Sequence, residues 1–323
     1  MKAKPQEKKN MKNISLWAFF ALYAVVCAAA VADVTLAADY ESLYTGDEAT
    51  GDHVIALWQF NGDAPGADVS GNGHDATLKG AAYVAEGRFG GALRSQRGWP
   101  DIDEPHQAIV KNDPRLTPSG AFTIEMWIQP APEMTGYENH PTLMDKKYVA
   151  DTDYQLYLSR ELGANRRRIE MALGFGGSSQ TYQSEYLDFT PGRWRHIAVV
   201  YDGAGSGRFF VDGTTAGGQT YSERRGIAPG KHFLSIGDRI GSNYRGFPGL
   251  LDQVRISNTA LEFRPVVLEL RASRRVFERM EPAPELELVA TNLRNAPMRH
   301  AAVSLVVNTR VIQNFDMPEL ASG

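Results

Sequence analysis

Apolar and polar positions divide the chain into three stretches. Residues 14–32 carry no charge. From residue 53 onward, short apolar runs alternate with turns rich in Gly, Pro, Asn and Asp. Segments 122–128 (FTIEMWI) and 154–158 (YQLYL) alternate with a period of two, as half-buried strands do. Segments 53–60, 75–83, 91–94, 108–111, 169–173, 182–189, 194–201, 208–211, 233–236 and 250–256 read as further strands, and Asp212-Gly213 reads as a type I′ hairpin turn. No helical period of useful length interrupts them. The pattern predicts an all-β chain folded as a large two-sheet sandwich or jelly roll. Beyond Leu261 the pattern restarts, with strand-like segments at 266–270, 285–290 and 301–307 and a turn at 292–297. Fewer than seven strands make a partial immunoglobulin-like β segment over 263–323. It either packs on the main domain or begins a domain of a longer, truncated protein.

The first stretch changes the picture of where the chain works. Lys2, Lys4, Lys8, Lys9 and Lys12 precede the uncharged run, and small residues close it at Ala30-Val31-Ala32 and Thr35-Leu36-Ala37. That is the layout of a secretory signal peptide over 1–38. A membrane anchor, or a lipoprotein attached through Cys27, are the competing readings. Residues 39–52 then read as a linker and 53–262 as the folded domain. The expected location is secreted, periplasmic or cell surface, with no membrane span in the mature chain. Cys27 is the one cysteine, so a mature chain has no disulfide. The 34 basic and 38 acidic residues leave a net charge of −4, without the basic excess that nucleic-acid binding draws on.

A set of motifs in order carries a family resemblance. Ala56-Leu57-Trp58-Gln59-Phe60 is followed by Asp68-Val69-Ser70-Gly71-Asn72-Gly73-His74-Asp75 and by Gly87-Arg88-Phe89-Gly90-Gly91-Ala92-Leu93. Then come 122–128, Trp194-Arg195-His196-Ile197-Ala198-Val199-Val200-Tyr201-Asp202-Gly203, Phe210-Val211-Asp212-Gly213, and 249–257 (GLLDQVRIS). Together they resemble the concanavalin A-like lectin/glucanase superfamily, in the laminin-G-like form of bacterial secreted proteins. The resemblance implies a concanavalin A-like jelly roll over 53–262. Most of these residues also have plain folding roles: Gly and Asn for positive φ in 70–73, Gly90-Gly91 for close backbone approach, and Trp58, Trp127 and Trp194 for the core.

Catalytic patterns are missing from the sequence. Glycosidases of this fold carry alternating carboxylates on one strand, as in Glu-x-Asp-x-x-Glu. The nearest match, Asp101-Ile102-Asp103-Glu104, lies between Pro100 and Pro105 and reads as a loop tip. Glu125 stands alone among apolar neighbours, and Glu185 and Asp188 fall on opposite faces of a strand. The seven histidines show no tight ligand spacing. The chain therefore reads as a noncatalytic binding module, for carbohydrate first, for a protein or cell surface as the alternative, with a hydrolase third. Aromatics in loops beside planar polar groups suit sugars, which selects Trp99, Tyr137, Tyr221 and Tyr244, with Arg239, Asn243 and Arg245 as a rim. Arg166-Arg167-Arg168 and Arg224-Arg225 read as solvated hairpin tips, with a sulfated-polysaccharide contact as the alternative. The resemblance also implies a structural calcium ion, with Asp252 in the closing strand as its ligand. Asp68, Asn72 and Asp75 are a second oxygen-rich set. The expected partners are a glycan or an extracellular protein.

Overall fold

The structure, a computed structural model, describes residues 38–221, 226–272, 286–292, 302–307 and 310–316. They fall into two compact units, one spanning Thr35–Phe263 and the other holding the residues from Arg264 onward. The region read as a signal peptide, Cys27 and Arg224-Arg225 lie outside the described residues. No helix among the described residues is long and apolar enough to cross a membrane.

In chain order the first unit begins with β1 (Val54–Trp58), β2 (Ala76–Lys79), β3 (Ala82–Val84), β4 (Ala92–Ser95), β5 (Gln107–Val110) and β6 (Phe122–Pro130). It continues with β7 (Thr142–Asp145), β8 (Tyr154–Leu158), β9 (Arg166–Arg167), β10 (Ile169–Gly174), β11 (Ser179–Gln183) and β12 (Leu187–Asp188). The last strands are β13 (Arg195–Tyr201), β14 (Ser206–Val211), β15 (Thr214–Thr220), β16 (Leu234–Ile236) and β17 (Gly249–Ser257). One sheet has the order β15-β14-β13-β6-β17-β4-β3, with β1 also on β17, and the other has the order β11-β10-β8-β7-β16-β5-β2. All ladders are antiparallel. This is a two-sheet jelly-roll sandwich.

Alternation decides which side chains fill it. Phe122, Ile124, Met126 and Ile128 of β6 meet Tyr154, Leu156 and Leu158 of β8 and Ile169, Met171 and Leu173 of β10 in the central core. The strand β17 closes the larger sheet and changes partners midway. Gly249 to Leu251 pair with β4, and Val254 to Ser257 pair with β1. The change is made at a bulge between Asp252 and Arg255, where Gln253 adopts φ 45°.

Residues 38–52 correct the linker reading. They lie over the outer face of the larger sheet, where Ala38, Tyr40, Tyr44 and Ala49 form a second apolar cluster with Leu57, Trp127, Val200, Phe210 and Phe263. Trp127 thus packs outside the central core, and Trp194 is half-buried against this cluster. The helical turn α1 (Asp47–Thr50) belongs to the same strap. Its polar anchor is Glu125, which the sequence leaves isolated. Its carboxylate accepts Tyr44 Oη at 2.6 Å and Arg255 Nε at 2.7 Å, and lies 2.9 Å from His196 Nε2. Arg255 also donates to the Glu48 carbonyl at 2.7 Å, and its guanidinium sits 3.8 Å over the Tyr44 ring. The network is buried, with Glu125 1% and Arg255 0% exposed.

In the second unit, β18 (Val266–Ala272) pairs with β19 (Leu286–Asn292), and β20 (Ala302–Val307) with β21 (Arg310–Asp316). Each ladder has two strands, and among the described residues no third strand joins either. These two separate ladders do not establish the immunoglobulin-like segment expected for 263–323.

Candidate functional site

The outer face of the smaller sheet is polar, and its two halves differ. Over β16 and β5 it is covered by the segment 237–246, held down by two buried carboxylates. Asp145 accepts the N–H groups of Lys147 (3.0 Å), Tyr148 (2.8 Å) and Ile240 (3.0 Å). Asp238 accepts those of His106 (2.9 Å), Arg239 (2.6 Å) and Arg245 (2.8 Å). Burial pushes both carboxyls up, Asp238 to about 7, against the pull of those donors. These aspartates organise loops.

The other half, over β7, β8, β10 and β11, presents a row of side chains in register. Thr142 lies opposite Tyr157, Tyr157 opposite Glu170, and Glu170 opposite Gln183. Gln183 donates to Glu170 at 3.1 Å and accepts from Arg168 at 2.8 Å, and Arg168 lies 4.3 Å over the Tyr186 ring. Burial raises the Glu170 carboxyl and the Tyr157 hydroxyl, and the facing Glu170 charge raises Tyr157 further. His140 meets the Tyr157 ring edge-on at 5.8 Å. A second outward row runs from Thr181 through Ala172 to Gln155. An aromatic ring among amide, hydroxyl and carboxylate groups is the composition of a polar-ligand surface.

The loop residues selected from sequence gather at one end of this row. Trp99 N–H donates to the Tyr244 carbonyl at 2.6 Å, and the Trp99 carbonyl accepts Tyr137 Oη at 3.3 Å and the Asn139 amide. Thr142 N–H donates to the Arg245 carbonyl at 2.7 Å, which joins the loops to the start of β7. Trp99 is 42% exposed, so its ring is offered to solvent, whereas Tyr137 is buried and braces the loop through Gly98 N–H at 3.2 Å. Asn243 is exposed at φ 54° and its carbonyl accepts from Arg239 at 3.4 Å. Tyr221 lies elsewhere, edge-on to Tyr182 at 5.2 Å. Arg167 corrects the solvated-tip reading of 166–168. It is fully buried and donates to the carbonyls of Met134, Tyr137, Asn139 and Ser159, so it ties the loop 134–139 to the sheet.

The two oxygen-rich sets have structural explanations. Asp252 sits at the β17 bulge, buried. One of its oxygens accepts Phe89 N–H at 2.8 Å, the other Gln253 N–H at 2.6 Å, and Arg88 N–H adds a third donor. Burial nevertheless pushes it up to about 6. These three N–H donors already use most of the lone pairs that the carboxylate would offer a calcium ion. Asp68 accepts N–H groups from Leu57, Ser70 and His74 and the Ser70 hydroxyl. Asn72 donates to the Val54 and Ile55 carbonyls, and Asp75 accepts Asp68 N–H. Among the described residues, no three His, Cys, Asp or Glu side chains are grouped to hold a metal.

Glu170 and Asp145 share the outer face of the smaller sheet. Glu170 is two strands and two residues away from Asp145 in register, which separates their backbones by about 12 Å. Asp101 is ion-paired with Arg97, and Asp103 accepts Tyr244 N–H at 3.0 Å, in the loop expected for them. Sequence reasoning missed Tyr157, Glu170, His140 and Gln183. The outward positions of 154–158 and 169–173 were readable from alternation, but their alignment into one row depends on register across three ladders.

Comparison of the sequence with curated proteins gives no match. Among solved structures, the binding domain of Paraclostridial Mosquitocidal Protein 1 is similar at a TM-score of 0.51 and 17% identity, over 65% of this chain and 50% of that one. The binding domain of botulinum neurotoxin serotype D/C is similar at 0.50 and 14%, over the same 65% and 50%. The match thus spans half the length of those domains, and the likeness is one of fold. The laminin-G family model described as the concanavalin A-like lectin/glucanases superfamily matches residues 103–264, which hold β5 to β17 and both open rows. With half of its residues in that match and a two-sheet jelly roll around them, the chain belongs to the concanavalin A-like lectin/glucanase superfamily.

Proposed function

We propose that this protein is a noncatalytic carbohydrate-binding module of an exported protein. The observation that carries the reading is the open row on the smaller sheet. Tyr157 supplies a half-buried ring, the half-buried Gln155, Thr181 and Gln183 supply planar or hydroxyl groups around it, and Glu170 lies buried beside it. Trp99 extends the surface through the loops. Sugars present apolar ring faces edged by hydroxyls, and such a surface meets both. The sequence lacks the alternating carboxylate pattern of the glycosidases of this fold, which supports binding rather than cleavage. The reading of 1–38 as an export signal supports an extracellular ligand. The two toxin domains of similar fold are themselves named as binding domains.

The test is affinity electrophoresis of the full chain in gels containing neutral or acidic polysaccharides, with reducing ends assayed in parallel. Retardation by at least one polysaccharide, lost in Tyr157→Ala and weakened in Trp99→Ala, is the expected result. Release of reducing ends would overturn the noncatalytic part. Migration unaffected by every polysaccharide would overturn the ligand class and favour a protein partner.

A further inference from the structure

An amine, an amide and a carboxylate meet where β5 and β7 run out. Lys146, just past β7, places Nζ 2.8 Å from Asn112 Oδ1 and 3.1 Å from Asp153 Oδ1. Asn112 follows β5, and Asp153 directly precedes β8. Lys146 and Asp153 are both 0% exposed. The main chain fixes their positions. Lys146 N–H donates to the Tyr154 carbonyl at 3.0 Å, Asp153 N–H donates to the Ala228 carbonyl at 2.8 Å, and the Asp153 carbonyl accepts Gly174 N–H at 2.8 Å. Asp153 keeps this place at φ 56°, in the left-handed region that residues other than glycine rarely adopt. The Thr117 hydroxyl donates to its Oδ1. Its Oδ2 is buried and accepts no hydrogen bond among the described residues. Gly230 covers that oxygen, and a Cβ on Gly230 would overlap it.

A buried ion pair balances its desolvation only when further hydrogen bonds satisfy both groups, and this one leaves a carboxylate oxygen without any. Passing one proton from Nζ to Asp153 removes both charges and leaves a neutral amine against an amide. Because Oδ1 is about 1.2 Å from Cγ, Nζ lies within about 4 Å of that carbon. Amines and amides do not react when free in water, but a fixed geometry removes much of the entropic part of the barrier. We propose that Lys146 and Asn112 are joined by an isopeptide bond, with Asp153 carrying the protons. The Nζ–Cγ bond forms and the Cγ–Nδ2 bond breaks. Asp153 hands the first Nζ proton to Nδ2, which leaves as ammonia. It then takes the second Nζ proton and ends as a neutral acid beside the new amide. Nothing is oxidised or reduced, and no co-reactant is needed. Asn112 is half-buried, which gives the ammonia a way to solvent. The bond would close a loop of 34 residues and tie β5 to β7 across β16, which is three residues long and pairs with β7 at two positions. It gives a covalent staple to a chain whose one cysteine is Cys27.

Tryptic digestion of the full chain followed by tandem mass spectrometry reads the bond directly. The expected product is segment 112–115 joined to segment 116–147, lighter by one ammonia than the two apart and uncut after Lys146. Lys146→Arg and Asp153→Asn should each yield the two segments separately. An unmodified 112–115 in the parent, with cleavage after Lys146, would overturn the proposal and leave an ordinary buried ion pair. Ammonia lost from 112–115 alone, the mark of a succinimide at Asn112-Asp113, would overturn it equally. Both outcomes are read on the parent, so they hold whether or not a variant folds. A linked product from Asp153→Asn would overturn the role given to Asp153.

Discussion

Replacing Glu125 by Gln keeps the shape of the side chain under the N-terminal strap and removes its charge. In the folded protein burial pushes this carboxyl up. The Arg255 charge, with hydrogen bonds from His196 and Tyr44, outweighs that and holds it down to about 2, from an ordinary 4.5. A difference of that size corresponds to about 3 kcal/mol of stabilisation of the charged form. Breaking a buried ion pair by removing one partner costs a comparable ~3–5 kcal/mol. Arg255 would retain Glu48, whose side chain is 26% exposed, so the lower end of that range is expected. For a domain of this size, ~3 kcal/mol lowers Tm by about 6–12 °C. Thermal and urea unfolding of Glu125→Gln would measure it, and amide exchange should show residues 38–52 opening before the sandwich. Because the folded-state pKa is depressed, the contribution is complete above pH ~4.5 and fades as pH falls toward ~2, so the variant should lose less stability over that window than the parent. Glu125→Leu combined with Arg255→Met should be less destabilised than either change alone. A Glu125→Gln protein within ~0.5 kcal/mol of the parent would refute the reasoning and make the network an ornament of the packing.

Asp252→Asn should cost about 1–3 kcal/mol, because an amide cannot accept all three N–H groups of the bulge and the 88–89 loop; melting in millimolar calcium and in chelator should coincide, and a clear calcium-dependent rise in Tm would restore the ion-ligand reading. Gly91→Ala would set a Cβ 2.1 Å from the Phe60 carbonyl oxygen, so a loss above ~2 kcal/mol is expected in urea titration, and a neutral result would mean that this close approach is not required. Asp68→Asn should remove part of the acid sensitivity between pH ~4 and ~2, since Asp68 is held at about 2 by His74, Ser70 and Leu57 against burial; an unchanged acid-unfolding midpoint would count against that role.

The sandwich was legible where apolar residues alternate, as in β6 and β8. It was not where strands owe their place to their neighbours. β15 (TTAGGQT) has no apolar run and is a strand because β14 offers it an edge. The four residues of β7 are too short for a period, and they matter because they join β8 to β16. The segment read as a strand at 182–189 is split, with β11 ending at Gln183 and a loop leading to β12. The site divides in the same way. Trp99, Tyr137, Tyr244 and Arg245 could be selected as loop residues of the right chemistry, but their assembly needs three loops from distant parts of the chain. Glu125 looked isolated because its partners Tyr44, His196 and Arg255 lie 71 to 130 residues away.

The exchange of partners along β17 has a consequence for how the protein comes to be folded. β1 finds its ladder partner in β17, and the strap that precedes it is tied to Gln253 and Arg255 across 209 and 207 residues. Loop closure on that scale precedes any reward from pairing, so the first segments of the domain gain their partners after nearly all of the domain is available. A chain emerging from the ribosome would carry them unpaired until β17 follows. Under the export proposed above, such late closure is an advantage, because the sandwich cannot complete itself before the chain has crossed the membrane. The same wiring predicts that truncation before Ser257 leaves β1 and the strap without the strand that holds them.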